Sequence, residues 1–188
     1  MKMAARISIF IVVSVACACG DGSVAVTADD SKFRIPKEYS VTSIPYWLPK
    51  LQRNQFLFVL NPSAAVSNQV HVSGEPRSTF CAVKRTQYVK DLCANDGATW
   101  IRHYDTSRLK KVDDEEGVIW HYELREGPKT VVVAHCSGMA DNTRNGICSS
   151  DGFFGGLQYS VGFSESRLPE LANLHHSVQA KLEQWRIG

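Results

Sequence analysis

The chain has 188 residues, of which 44% are hydrophobic and 21% are charged, and its formal net charge is +2 at pH 7. This length and composition suit one globular domain. The charge falls to zero once Lys2 and Arg6 leave with an N-terminal signal, because the remaining basic residues then equal the 19 acidic ones. A neutral domain is not typical of proteins that bind nucleic acids or anionic membranes, so we expect neither partner.

The N-terminus has the pattern of an export signal. Lys2 and Arg6 precede an apolar stretch, residues 7–18, that is too short to span a bilayer as a mature helix. We expect residues 1–28 to be the export signal and leader, and residues 29–188 to form a single domain.

Two ways of cleaving this signal remain open. Small residues precede Cys17 and Cys19, and lipidation of either cysteine would make a bacterial lipoprotein, although neither site has the usual large aliphatic residue. Cleavage after Val26-Thr27-Ala28 would instead release a soluble protein. Either route predicts a periplasmic protein, soluble or lipid-anchored, that meets the membrane only through such an anchor. The small and polar residues 20–32 are typical of a tether.

Short strands are predicted along the chain from Phe33, where the ordered part is expected to begin. The segment from Pro45 to Pro49 is predicted to be extended, with Trp47 on the core, because prolines are excluded from central strands. Runs rich in β-branched and aromatic residues indicate the strands that follow. They are predicted at residues 55–60, 69–73, 78–83, 98–104, 117–125, 130–136 and 157–163.

The clearest hairpin is predicted between residues 98–104 and 117–125. The connection contains Lys110 and Lys111 followed closely by four acidic residues, which indicates a mixed, solvated turn. Apolar and polar residues alternate along the second strand, so one aromatic face should point inward. The residues of that face are Val118, Trp120, Tyr122 and Leu124.

The spacing of apolar residues changes after Ser166, which can cap a helix. Beyond it they recur at helical spacing, at Leu171, Leu174, Val178, Leu182 and Trp185. The predicted fold class is therefore α+β: an antiparallel β-meander with a C-terminal helix packed on one face. We expect Leu182 and Trp185 to share one core with Trp120, Tyr122 and Leu124.

Four cysteines form two pairs with the same spacing, Cys81 with Cys93 and Cys136 with Cys148. Zinc ligands usually lie two to four residues apart, whereas eleven residues separate each of these pairs. In an exported chain this pattern favours two local disulfides.

Catalytic and metal-binding patterns are weak. His103, His121 and His135 lie on predicted strands, but a metal site would need all three on one face and in register, so we expect no metal and no cofactor. The sequence has no Gly-x-Ser-x-Gly elbow and no phosphate loop. The alternative of a small envelope hydrolase would depend on strand residues such as His121 and Glu123.

Residues 141–156 are predicted to form a displayed loop, polar and glycine-rich and held at Cys148. Such a loop presenting Arg144, Phe153 and Phe154 is typical of a protein-binding site, because arginine and aromatic side chains dominate binding energies. The other interpretation is that Asp151-Gly152 forms a hairpin turn and the phenylalanines begin the last strand.

The layout of the whole chain resembles that of small exported proteins of Gram-negative bacteria, several of which are immunity proteins against toxins delivered by secretion systems. The resemblance rests on the export signal, the cysteine-closed loop and three further features: Phe33-x-Ile35-Pro36-x-x-Tyr39, the Pro-Trp segment at Pro45–Pro49, and Tyr159-x-x-x-Phe163 followed by the helix. It assigns no functional residue. It implies a periplasmic, non-enzymatic protein that binds and neutralises an effector attacking the cell envelope. A structural envelope lipoprotein remains a further alternative.

Overall fold

The structure, a computed structural model, describes residues 22–41, 56–83, 86–94, 99–113, 118–138 and 146–187. The predictions for Cys17, Cys19, Trp47 and Arg144 lie outside the described residues. The strands are β1 (Val24–Ala28), β2 (Ser31–Ile35), β3 (Phe56–Val59), β4 (His71–Pro76), β5 (Leu109–Asp113), β6 (Ile119–Glu126), β7 (Lys129–Ser137), β8 (Ile147–Phe154), β9 (Leu157–Ser164) and β10 (Arg186–Ile187).

The α-helices are α1 (Arg77–Ala82), α2 (Gln87–Ala94) and α3 (Leu171–Trp185). Short 3-10 helices lie at Lys37–Tyr39, Val66–Asn68, Thr99–His103, Thr106–Arg108 and Glu165–Glu170. Ser166 lies within the last of these, so it does not cap α3. None of the helices in the described part of the chain has both the length and the apolar character needed to cross a bilayer.

The larger of two sheets has seven strands in the order β3-β4-β9-β8-β7-β6-β5, and every neighbouring pair is antiparallel. From β5 to β9, strands that follow one another in sequence are also neighbours, which is the predicted meander. The smaller sheet has the order β1-β2-β10. With α3 at the C-terminal end, the α+β class predicted from the sequence is confirmed.

The main core lies between α3 and one face of the larger sheet. The helical stripe that ends in Leu182 and Trp185 is buried, as its spacing predicts. Trp120 and Leu124 of β6 belong to the same buried cluster, and Tyr122 packs against it half-buried. The expectation that these five residues share one core is confirmed.

The partner of β6 is β5, so the predicted hairpin with residues 98–104 is wrong. The register pairs Lys111 with Tyr122, whereas Thr99–His103 forms a 3-10 helix. An edge strand tolerates charged side chains, and lysines there discourage pairing with other chains. Lys110 and Lys111 therefore belong to the edge strand and not to a solvated turn, and their charge concealed the strand.

Residues 78–83 are also not a strand, because the chain turns into α1 at Arg77. The backbone N–H of Ser78 donates to Oδ2 of Asp29 at 3.0 Å, and its hydroxyl donates to Oδ1 of the same carboxylate. This carboxylate satisfies donors at the start of the helix that have no partner within it. Asp29 is distant in sequence, so local patterning does not reveal the contact.

The predicted tether at residues 20–32 is ordered from β1 onward. β1 and β2 form a hairpin around Asp29, whose φ of 49° makes the tight turn, and Ala28 is fully buried. β2 also pairs with β10, which follows α3. The hairpin of β1 and β2 therefore depends on a strand from the other end of the described chain. The polar composition of residues 20–32 does not indicate this pairing.

Both disulfides pair as their spacing predicts. Cys136 and Cys148 lie directly opposite each other on β7 and β8, with 4.0 Å between their Cα atoms. Cys81 and Cys93 join α1 to α2, with 6.0 Å between their Cα atoms. One disulfide therefore fixes two central strands and the other holds two short helices together.

Candidate functional site

The larger sheet has a second face, pointing away from α3, which we call the open face. Side chains alternate between the two faces of a strand. Because Tyr159 and Ser150 contact α3 through His175, their neighbours Ser160 and Ser149 lie on the open face. The register extends this face across β4 to β6, through His71, Ser73, Gly162, Ile147, His135, Ser137, Ile119 and His121.

A groove of about 480 Å³ lies on the open face. Three exposed apolar side chains stand at its rim: Val66 is 79% exposed, Ile147 62% and Ile119 56%. The described residues that line it include no Lys, Arg, Asp or Glu. Burial lowers the pKa of both its histidines, His71 and His135. The described lining of the groove is therefore uncharged at neutral pH.

Helices α1 and α2 cover the other end of the open face. The Tyr88 hydroxyl donates to Oδ2 of Asp151 at 3.0 Å, and the Tyr88 ring meets the His135 ring edge-on, with centroids 4.6 Å apart. Gln158 donates to Oδ1 of Asp151 at 3.0 Å. Burial raises the pKa values of both Asp151 and Tyr88. This covered end is a closed hydrogen-bonded set, in contrast to the open groove.

The displayed loop predicted at residues 141–156 is wrong from Ile147 onward, because β8 occupies Ile147–Phe154. Phe153 is only 8% exposed, with the Arg77 guanidinium 4.4 Å from its ring centroid. Phe154 is half-buried and contacts the Phe33 ring. Pairing with β9 draws these phenylalanines into the fold, so neither stands out in solution. Their role in binding a partner stays a prediction.

The three predicted strand histidines do not come together. His121 and His135 lie opposite each other on β6 and β7, with ring centroids 6.0 Å apart, while His103 is in a 3-10 helix. His121 Nε2 lies 3.1 Å from Oε1 of Glu123. In the described ranges, no three His, Cys, Asp or Glu side chains are grouped so that they could hold a metal ion.

A serine–histidine pair lies on the inner face of the sheet, and sequence reasoning missed it. His175 of α3 places Nε2 2.9 Å from Oγ of Ser150, and its Nδ1 3.0 Å from the Tyr159 hydroxyl. Ser150 donates its own proton to the carbonyl of Val133, and Gln179 donates to the Tyr159 oxygen. The histidine and serine are 0% and 1% exposed.

These contacts determine where each proton lies. Because the Ser150 hydroxyl donates to a carbonyl, Nε2 of His175 must carry a proton and donate to Oγ. Tyr159 then donates to Nδ1, and burial lowers the pKa of His175 to about 3. The histidine cannot accept the serine proton in this arrangement, and substrate cannot reach it. The set is a structural network and not a nucleophile with its base.

Gly152 of β8 lies against this network. A Cβ there would come within 2.6 Å of the Tyr159 hydroxyl oxygen and 3.1 Å of Nδ1 of His175. We expect Gly152→Ala to lower the free energy of unfolding by about 1–3 kcal/mol, because packed cores resist added volume. Gly162→Ala is the control, since its Cβ would meet its nearest atom at 3.5 Å. Urea unfolding measures both, and equal stabilities would show that the network can shift.

A signal for the open face was present in the sequence. Small residues stand at every second position through the end of the last predicted strand, at Ser160, Gly162 and Ser164. Another small residue, Ser149, lies in the preceding segment. Small residues at every second position leave space on one face of a sheet. The sequence did not show that these residues share one face, because only the register of β8 with β9 places them side by side.

No protein-family model and no curated protein sequence matches the chain. Among solved structures, the fold is similar to that of an immunity protein of the Stenotrophomonas maltophilia type IV secretion system, with a TM-score of 0.53. The two sequences are 13% identical, and the match covers 89% of this chain and 94% of the other. The resemblance inferred from the layout of the chain is therefore confirmed at the level of the fold.

Proposed function

We propose that this chain is an exported immunity-type protein, which binds an effector protein and neutralises it without catalysing a reaction. The observation that carries the proposal is the shared fold, which extends over 89% of this chain and 94% of an immunity protein. Coverage of nearly all of both chains means that the likeness involves the whole domain and not one common motif.

The proposed compartment is the periplasm. Both disulfides support an oxidising compartment, and the N-terminal charge and apolar pattern supports export. Cleavage after Ala28 would remove β1, which pairs with β2 along its length. Lipidation at Cys17 or Cys19 would retain β1, so we favour the lipid-anchored form. The mass of the mature protein distinguishes the two.

The absence of turnover is part of the proposal. The proton arrangement around Ser150 and His175 supports it, because that pair cannot generate a nucleophile. The hydrolase alternative rests on His121 and Glu123, whose side chains are within hydrogen-bonding distance and partly exposed. Hydrolysis of lipid or peptidoglycan by the pure protein, abolished by His121→Ala, would establish that alternative and contradict the proposal.

The direct test takes the protein encoded by the neighbouring gene as the candidate effector and directs it to the periplasm of a host cell. We expect the full chain to restore growth, and the purified pair to elute as one complex in size-exclusion chromatography. A version lacking residues 1–21 retains β1 but has lost the export signal, so it should stay in the cytoplasm and give no protection. Arg144→Ala is predicted to weaken the complex by more than about 1 kcal/mol. Failure of wild-type protein to form the complex or protect would refute the proposal.

A further inference from the structure

We propose that the groove on the open face is the effector-binding site, and that it takes an uncharged, apolar segment of the effector. This inference rests on the proposed function and adds to it a place and a chemistry. The groove is formed by strands of the larger sheet together with the 3-10 helix Val66–Asn68.

Exposed apolar side chains are concentrated around the groove. Val66, Ile119 and Ile147 belong to three different elements, yet all three border this one groove. The register places Ile119 and Ile147 on either side of Ser137, on the same face of the sheet. Exposed apolar side chains scattered singly are ordinary, whereas a group rimmed by polar residues marks an interaction site.

The charge of the lining residues also restricts what the groove can bind. Among the described residues, the lining has no Lys, Arg, Asp or Glu, and its two histidines are neutral at pH 7 because burial lowers their pKa values. Nucleic acids and anionic lipid headgroups are bound through lysine and arginine, which the described lining lacks. A charged protein segment would lose its hydration here without gaining a counter-charge. The complementary occupant is therefore uncharged.

The polar residues of the groove favour a protein segment over an acyl chain as its occupant. Between the apolar rim residues, the groove is lined by serines, including Ser73, Ser137 and Ser149. An acyl chain laid over these hydroxyls would cut them off from water without offering hydrogen bonds. A peptide segment supplies backbone N–H and C=O groups along with apolar side chains. The volume of about 480 Å³ is in the usual range of ligand sites.

The test introduces charge at the rim. Ile147→Lys, Ile147→Asp and Val66→Lys are each expected to weaken binding of the purified effector about tenfold or more, measured by calorimetry. Their melting temperatures should stay close to that of the wild type, because both side chains are mostly exposed. The matched control is Ile187→Lys, in β10 of the smaller sheet, where the side chain is 39% exposed and affinity should be unchanged.

Each outcome has one meaning. If wild-type protein forms the complex and the rim variants bind equally well, the groove is not the site, although the proposed function stands. If Ile147→Lys strengthens binding while Ile147→Asp weakens it, the partner segment is acidic and the inferred chemistry is wrong. If a fluorescent fatty acid binds the groove and the effector displaces none of it, the occupant is an acyl chain. If wild-type protein forms no complex, the proposed function and the site fail together.

Discussion

Replacing Trp185 with alanine is expected to lower the free energy of unfolding by about 3–5 kcal/mol. Trp185 lies in the last turn of α3 and is 5% exposed. Its ring centroid is 4.9 Å from that of Tyr39 and 5.1 Å from that of Phe58, so it joins the helix to the edge of the larger sheet. Removing it would leave a cavity where three separate elements meet.

Equilibrium unfolding in urea measures this loss. Gln184→Ala is the control, because the neighbouring side chain is exposed and its removal should change stability little. A loss for Trp185→Ala no larger than that for Gln184→Ala would mean that the end of α3 is peripheral, and would contradict the packing described above.

Acid is expected to destabilise the protein through His175. In the unfolded chain this histidine has the ordinary pKa of 6.5, while burial lowers the folded value to about 3. Below pH 6.5 the unfolded state therefore binds a proton that the folded state does not. Stability from this group is complete above pH 6.5 and is lost as the pH falls toward about 3. Between pH 7 and pH 4 the loss should be about 3 kcal/mol.

The measurement compares wild type with His175→Gln across this range, by urea unfolding at several pH values. Glutamine has a donor and an acceptor but does not titrate, so the variant should lose the part of the pH dependence that one proton causes. His103→Gln is the control, because that side chain is exposed and lies in the 3-10 helix Thr99–His103. Equal pH dependence in wild type and His175→Gln would show that the folded protein and the unfolded chain bind a proton on His175 at the same pH, and would contradict the prediction.

The effects predicted for Trp185 and His175 depend on contacts that could be predicted from the sequence only in part. The helical spacing of Leu182 and Trp185 was sufficient to predict that they are buried. It did not show that Tyr39 and Phe58 would be the rings against Trp185. The helical spacing gave no indication that His175 is buried. Its burial depends on Ser150 and Tyr159, which two paired strands bring to the same place on the inner face.

Features that depend on near neighbours along the chain could be predicted from the sequence. The two disulfides, the alternation through Trp120 and Leu124, the C-terminal helix and the α+β class all follow from patterns that repeat within 12 residues or fewer. The physical reason is that strand alternation and the helical repeat are properties of the local backbone. A disulfide between residues close in sequence likewise closes a short loop.

The pairing of the strands and the face that stays open could not be predicted in this way. β4 pairs with β9, and β6 pairs with β5 instead of residues 98–104. Pairing partners and register depend on packing between distant segments, and a slip of one residue would send every side chain of a strand to the opposite face. The groove is made of such positions: Ile119 and Ile147 lie on either side of Ser137 of β7, and Ser73 and Ser160 pair between β4 and β9. Local patterning does not specify these neighbours, because the alternation within one strand is the same for every register of its partner.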